Sequence, residues 1–135
     1  TFLVPQAYLS NFEPGPDTPP ATIAKGKFLE PLIDKSFEMA IEAGVNMAFG
    51  SDNGVFPHSD TALEFAALTS KGISNINAIR MATINAAELI VVDDRGELRV
   101  GIRADIVDVP GNPLQDITAI EAVAFVMQHV ETSKQ

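Results

Sequence analysis

The sequence contains no cysteine. That excludes disulfides, thiolate nucleophiles and cysteine-based metal sites, and it fits reducing and oxidising compartments alike. Basic residues are scarce: 9 Lys and Arg stand against 18 Asp and Glu, a net charge of −9. So acidic a chain has no electrostatic footprint for nucleic acid. The acidic residues divide evenly, nine in 1–80 and nine in 81–135, which describes a solvated surface rather than a charged tail. No apolar run approaches the roughly 18–20 residues of a membrane span, and no basic-then-apolar start reads as a signal peptide. Histidine is limited to His58 and His129, with no His-x-His and no His-Glu-x-x-His, so the two do not form a metal site. Internal repeats, coiled-coil heptads and phosphate loops are absent.

What is present suits a globular α/β chain. At 135 residues and 46% hydrophobic, the length fits one domain and the composition is too apolar for disorder. The first residue is Thr1, opening directly into Phe2, Leu3 and Val4, which reads as a cut within something longer. Residues 1–9 read as a short buried strand entering a loop at Pro5. Asn11 to Pro20 is Pro-rich and is expected to be irregular: either a functional loop or a solvated connector. From Ala24 to Ala43 the apolar spacing is helical; a break is expected near Pro31, with a firm helix from Ile33 and a stop at Gly44. Val45 to Phe49 is apolar almost throughout, as a strand covered on both faces would be.

Thr61 and Glu64 have capping-box spacing for the next helix, which Gly72 closes. Ser74 and Thr83 are expected to cap two more. Helix, glycine, strand, loop, helix is the alternation of a parallel sheet with crossovers. After Asp93 helical spacing ends. Glu97-Leu98, Ala104 to Val109 and Ala122 to Met127 read as short strands between turns at Gly96, Gly101 and Pro110 to Pro113. Two regions follow: 1–92, α/β, and 93–135, β.

Asp52 is the leading candidate for chemistry. It follows the carboxyl end of a buried strand, where parallel α/β folds place their ligands. A carboxylate there can bind a divalent metal and accept a proton from an activated water. Asp also caps helices and turns, and that reading stays open. His58 lies six residues on; a lone His is more often a structural hydrogen-bonder than a ligand. His129 reads as a surface residue. Ser51 lacks a Gly-x-Ser-x-Gly setting, so a hydrolase triad is disfavoured. Lys25, Lys27, Lys35 and Lys71 fall on helix faces or ends, which disfavours a Schiff-base lysine.

The run from Ala43 to Asp52, then Gly54-Val-Phe-Pro-His58 and Glu64-Phe65, resembles the eighth-strand region of metal-dependent amidohydrolases. The nearest likeness is to the imidazolonepropionase-like and Xaa-Pro dipeptidase-like branch. Ala78 to Leu89 resembles the helical segment that follows there. Gly96 to Val107 and Gly111 to Ile117 resemble the return into a small β-sandwich, and Phe2 to Pro5 resembles the end of strand seven. The resemblance implies the C-terminal fragment of a (β/α)8 TIM barrel: strands 7 and 8 and the following helices in 1–92, plus sandwich strands in 93–135. It gives Asp52 the role of the strand-eight aspartate, which ligates the metal and shuttles a proton to the leaving amine. It places His58 either behind the metal ligands or facing the substrate, and, less directly, makes Tyr8 a substrate contact. It also implies one or two divalent ions, zinc above others, held mostly by ligands outside this chain. The family's strand-one His-x-His, bridging lysine and later histidines have no counterpart here, and six barrel strands are missing.

The expected function is thus hydrolysis of C–N bonds in a small amide or dipeptide by metal-activated water, with the isolated chain inactive. Partners implied are the rest of the barrel, in the same polypeptide or another, and a second copy in a homo-oligomer. The cytoplasm is favoured, with an exported bacterial enzyme as the alternative. The competing class is a non-catalytic α/β interaction domain that pairs through open strand edges at Phe2–Val4 and Val45–Phe49. A solute-binding module is a third, unsupported by any legible pocket. The ending Val126 to Val130 lacks the glycine expected of a hairpin.

Overall fold

A computed structural model of the chain describes residues 1–11, 15–52, 54, 57–129 and 131–133. Two parallel segments open the fold. Leu3 and Met47 form a single parallel bridge: the Leu3 amide donates to Asn46 O at 2.9 Å and the Ala48 amide to Leu3 O at 3.0 Å. The full strands expected over 1–9 and 45–49 shrink to this bridge. The opposite edge of 45–49 is met by helical residues instead of a strand. Phe49 N donates to Met81 O at 2.9 Å, and Asn85 Nδ2 donates to Met47 O at 2.7 Å. A ladder cannot extend where its neighbour supplies isolated groups. The outer edge at Phe2 and Val4 has no backbone hydrogen bond among the described residues.

Between these segments runs helix α1, Pro20–Glu42. Pro20 takes the first turn, where its missing N–H costs nothing. The helix passes through Pro31 without the expected break. Pro31 forfeits the bond to the Lys27 carbonyl, but both residues are exposed, so water can take that carbonyl. The stop at Gly44 is as expected. Gly44 has φ 63°, its amide donates to Ile41 O, and Val45 N reaches back to Ala40 O, closing a Schellman motif. The helix buries little besides Phe37, while Phe28 is 70% exposed and Leu32 and Ile33 are also exposed.

Helices α2 (Leu63–Ser70), α3 (Asn75–Ala82) and α4 (Ile84–Leu89) follow. Their starts differ from the expected caps. Thr61 and Glu64 form no capping box: residues 58–62 are a 3-10 turn, and the Thr61 hydroxyl donates to His58 O. Ser74 and Thr83 stand at their helix starts without side-chain cap bonds; the Thr83 hydroxyl donates to Ile79 O instead. Leu68, Met81, Phe37, Met47, Ala67 and Ala78 build the core, with Leu68 fully buried. Burying each large apolar side chain is worth about 1.5–3 kcal/mol. Gly50 matters for closeness, since a Cβ there would lie 2.4 Å from Val4 Cγ1. The two segment ends therefore leave the core side by side.

After Asp93 three short antiparallel strands form a sheet in the order β1 (Ile106–Asp108), β2 (Phe125–Gln128), β3 (Glu131–Ser133). Ile106 pairs with Met127, and Gln128 with Glu131. No strand forms at Glu97-Leu98. The β2–β3 hairpin turns without glycine: His129 takes φ 54°, a left-handed conformation that glycine usually fills. Its neighbour Val130 lies outside the described residues. Asp94 joins Arg95 and Arg103, and Arg103 also meets the His129 ring. Arg95 first, and then Arg103, holds the Asp94 carboxyl down to about 2. The 3-10 turn Ile117–Glu121 packs on α2, with Ile117 buried, so the later part of the chain shares the core helices.

Candidate functional site

Asp52 stands two residues beyond Gly50, exposed, with φ 50°. Asp tolerates this left-handed conformation better than most residues because its short side chain can bond locally. The aspartate thus leaves the end of the Met47 segment facing solvent, at the end where a parallel sheet presents its ligands. Asn53, Val55 and Phe56 lie outside the described residues, so the Gly54-to-His58 run is described only in part. His58 opens the 3-10 turn His58–Ala62 and is exposed. Tyr8 lies in the 3-10 turn Ala7–Asn11, half-buried against the core, four residues past Val4. Phe12, Glu13 and Pro14, the centre of the Pro-rich loop, are also outside the described residues. Lys25, Lys27 and Lys35 sit on the exposed face of α1, and Lys71 follows α2, where it pairs with Asp34.

The charged group that sequence reasoning misplaced is Glu64. It is 1% exposed, buried on α2 among Phe65, Ala67 and Leu68. Its Oε1 accepts from the Ala7 amide and its Oε2 from the Tyr8 amide, both at 2.7 Å. Those amides are the unpaired donors at the start of a 3-10 turn, and one carboxylate satisfies both. The next residue, Phe65, meets Phe49 ring to ring at 4.5 Å. Adjacent side chains on α2 thus grip the ends of both parallel segments. A lone glutamate in Leu63-Glu-Phe-Ala-Ala-Leu68 was the available signal: a charge inside an apolar helix start needs a buried partner.

Burial pushes the Glu64 carboxyl above its ordinary value, opposed by the Tyr8 and Ala7 amides. The folded chain therefore holds this proton more tightly than the unfolded chain. The stability this contributes is complete below the ordinary glutamate value of about 4.3 and is lost as pH rises through the folded value. Asp94 acts in the opposite sense: its contribution is present above about 3.9 and lost as pH falls through about 2. Denaturant midpoints measured from pH 4 upward should fall more steeply for the native sequence than for Glu64→Gln. That difference removes most of the background repulsion, since every charge but Glu64 itself is common to both proteins. Parallel curves would refute a raised Glu64.

No group of three or more His, Asp or Glu able to hold a metal ion exists among the described residues. No helix among them is long and apolar enough to cross a membrane. A groove of about 820 Å³ lies between α1 and the first segment, lined by Leu3, Val4, Ile23, Leu29, Ile33 and Phe37; neither Asp52 nor His58 borders it.

Residues 35–132 match the amidohydrolase family. The chain belongs to that family. It is similar to ochratoxinase of Aspergillus niger, 37% identical over 99 residues, which are 69% of this chain and 20% of the relative. It is also similar to the 5-methylthioadenosine/S-adenosylhomocysteine deaminase of Caldicellulosiruptor saccharolyticus, 30% identical over 64% of this chain and 23% of the relative. Among solved structures, a Xaa-Pro dipeptidase with methionine bound in its active site superposes with a TM-score of 0.90. It is 30% identical, over 100% of this chain and 35% of that one. The A. niger ochratoxinase structure gives a TM-score of 0.80 at 31% identity, over 98% of this chain and 32% of that one. The amidohydrolase chain thus spans about a fifth of its curated relatives and about a third of these solved structures. The α/β arrangement is that of a part of these hydrolases.

Proposed function

We propose that this chain carries the last part of an amidohydrolase barrel in 1–92 and sandwich strands in 93–135. Together with the remainder of the barrel it hydrolyses C–N bonds in small amides or dipeptides. The observation that carries this reading is the parallel pairing at Leu3 and Met47, with Asp52 exposed just beyond its carboxyl end. The superposition on a Xaa-Pro dipeptidase supports dipeptides as the substrate class. The unpaired edge at Phe2 and Val4, and the exposed Phe28, Leu32 and Ile33 beside an apolar groove, support further barrel elements covering that side. These same edges are what a non-catalytic pairing domain would show, but the family match favours the hydrolase.

Asp52 fits one place in a divalent metal site, as an oxygen ligand. A catalytic site needs about three protein ligands, so the others come from outside this chain. When bound, the ion makes water a competent nucleophile near neutral pH and polarises the scissile carbonyl. Asp52 takes the proton from the attacking water and delivers it to the nitrogen of the departing amine. Tyr8 and His58, on the two loops leaving the paired ends, contact the substrate. Zinc suits this chemistry, and all-N/O ligation admits manganese as well.

The test completes the chain with a segment supplying the first six strands and loads it with zinc or manganese. Release of free amine from Xaa-Pro dipeptides and N-acyl amino acids is the readout. Turnover stopped by a chelator is expected; no release from any of these amides would reject the reading.

A further inference from the structure

We propose that Glu64 is a positioning residue for the substrate mouth, resting on the hydrolase reading above. The geometry is a two-way staple at the start of α2. Glu64 takes the Ala7 and Tyr8 amides, and Phe65 takes the ring of Phe49. Val4 lies against Gly50, so the loops bearing Tyr8 and Asp52 leave from adjacent points. The 3-10 turn that carries His58 runs directly into α2. One buried carboxylate therefore sets the height of the Tyr8 loop relative to the elements that carry Asp52 and His58.

The chemistry requires glutamate. Two adjacent amides need two acceptor oxygens in one plane, which a carboxylate offers and a carboxamide does not. Glutamine keeps the volume and one acceptor, but it turns an NH2 group towards one of the two amides. Aspartate is one methylene short of the 57-residue-distant Ala7 amide. Glu64 is 1% exposed and bonded to the Ala7 and Tyr8 amides, so it acts through Tyr8.

The chain offers a clean probe, because Tyr8 is its only tyrosine and it has no tryptophan. Labelling this chain with 15N-tyrosine and 15N-alanine and combining it with the unlabelled remainder gives one tyrosine amide signal, the Tyr8 N–H itself, and an Ala7 signal among the alanine amides. In the native protein both amides should be protected from solvent exchange. In Glu64→Gln, protection at Ala7 or Tyr8 should fall at least tenfold, and the Tyr8 signal should shift. KM for a Xaa-Pro dipeptide should rise about tenfold while kcat changes less than threefold. Glu64→Met, which removes both acceptors at similar volume, should lose protection at both amides. A merely structural glutamate would leave KM unchanged in any Glu64→Gln protein that still folds. Unchanged amide protection in both variants overturns the proposal, as does lost protection with an unchanged KM. If no amide is hydrolysed at all, the hydrolase reading fails. The clamp is then judged by the amide signals alone, upheld by lost protection and overturned by its persistence.

Discussion

Asp52→Asn in the completed enzyme is expected to lower turnover about a thousandfold, within the 10²–10⁴ range of general acid–base catalysis. Asparagine keeps the size of the side chain and one oxygen. It cannot take the proton from water or pass it to the leaving amine. The residue also sits exposed in a left-handed conformation that asparagine adopts as readily as aspartate, so folding should be spared. Rate measurements under saturating metal separate the two roles. A loss that excess zinc repairs would make Asp52 only a ligand; a loss that persists at full occupancy makes it the proton carrier. A rate within threefold of the native value would remove Asp52 from the mechanism.

Glu64→Ala should cost about 2–6 kcal/mol of stability, since two amide donors lose their partners at about 1–3 kcal/mol each. Loss of the side chain from a site that is 1% exposed adds a cavity term on top. The denaturation midpoint of the chain measures this directly. The comparison that isolates the hydrogen bonds is Glu64→Gln, which keeps most of the volume and should lose roughly half as much. If alanine cost less than 1 kcal/mol, the Ala7 and Tyr8 amides would have to be satisfied without Glu64.

Much of the chain's order was legible from local signals. Gly44 stops α1 where the apolar spacing ended, and Gly72, with φ 96°, closes α2. These signals work because each acts within a few residues of itself. What stayed illegible depends on distant partners. Pro31 looked like a break, but its lost bond falls on exposed backbone that water serves. Val45 to Phe49 had the composition of a strand; its far edge is met by Met81 O and Asn85 rather than by another strand, and only one bridge forms. His129 turns a hairpin where glycine was expected, in a left-handed conformation that histidine adopts more often than most residues. Glu64 had the spacing of a cap for its own helix, and its real partners lie 57 and 56 residues away. For the site, sequence could nominate Asp52, His58 and Tyr8 as candidates, but not the buried carboxylate of Glu64 that accepts from the Ala7 and Tyr8 amides.

The most direct test of a barrel completed from outside is the simplest assay. The 135-residue chain alone, supplied with zinc or manganese, is given Xaa-Pro dipeptides and N-acyl amino acids. With no group of three or more possible metal ligands among its described residues, it should release no amine. Metal-dependent turnover by the isolated chain would contradict this, and would mean that the site is complete within these residues.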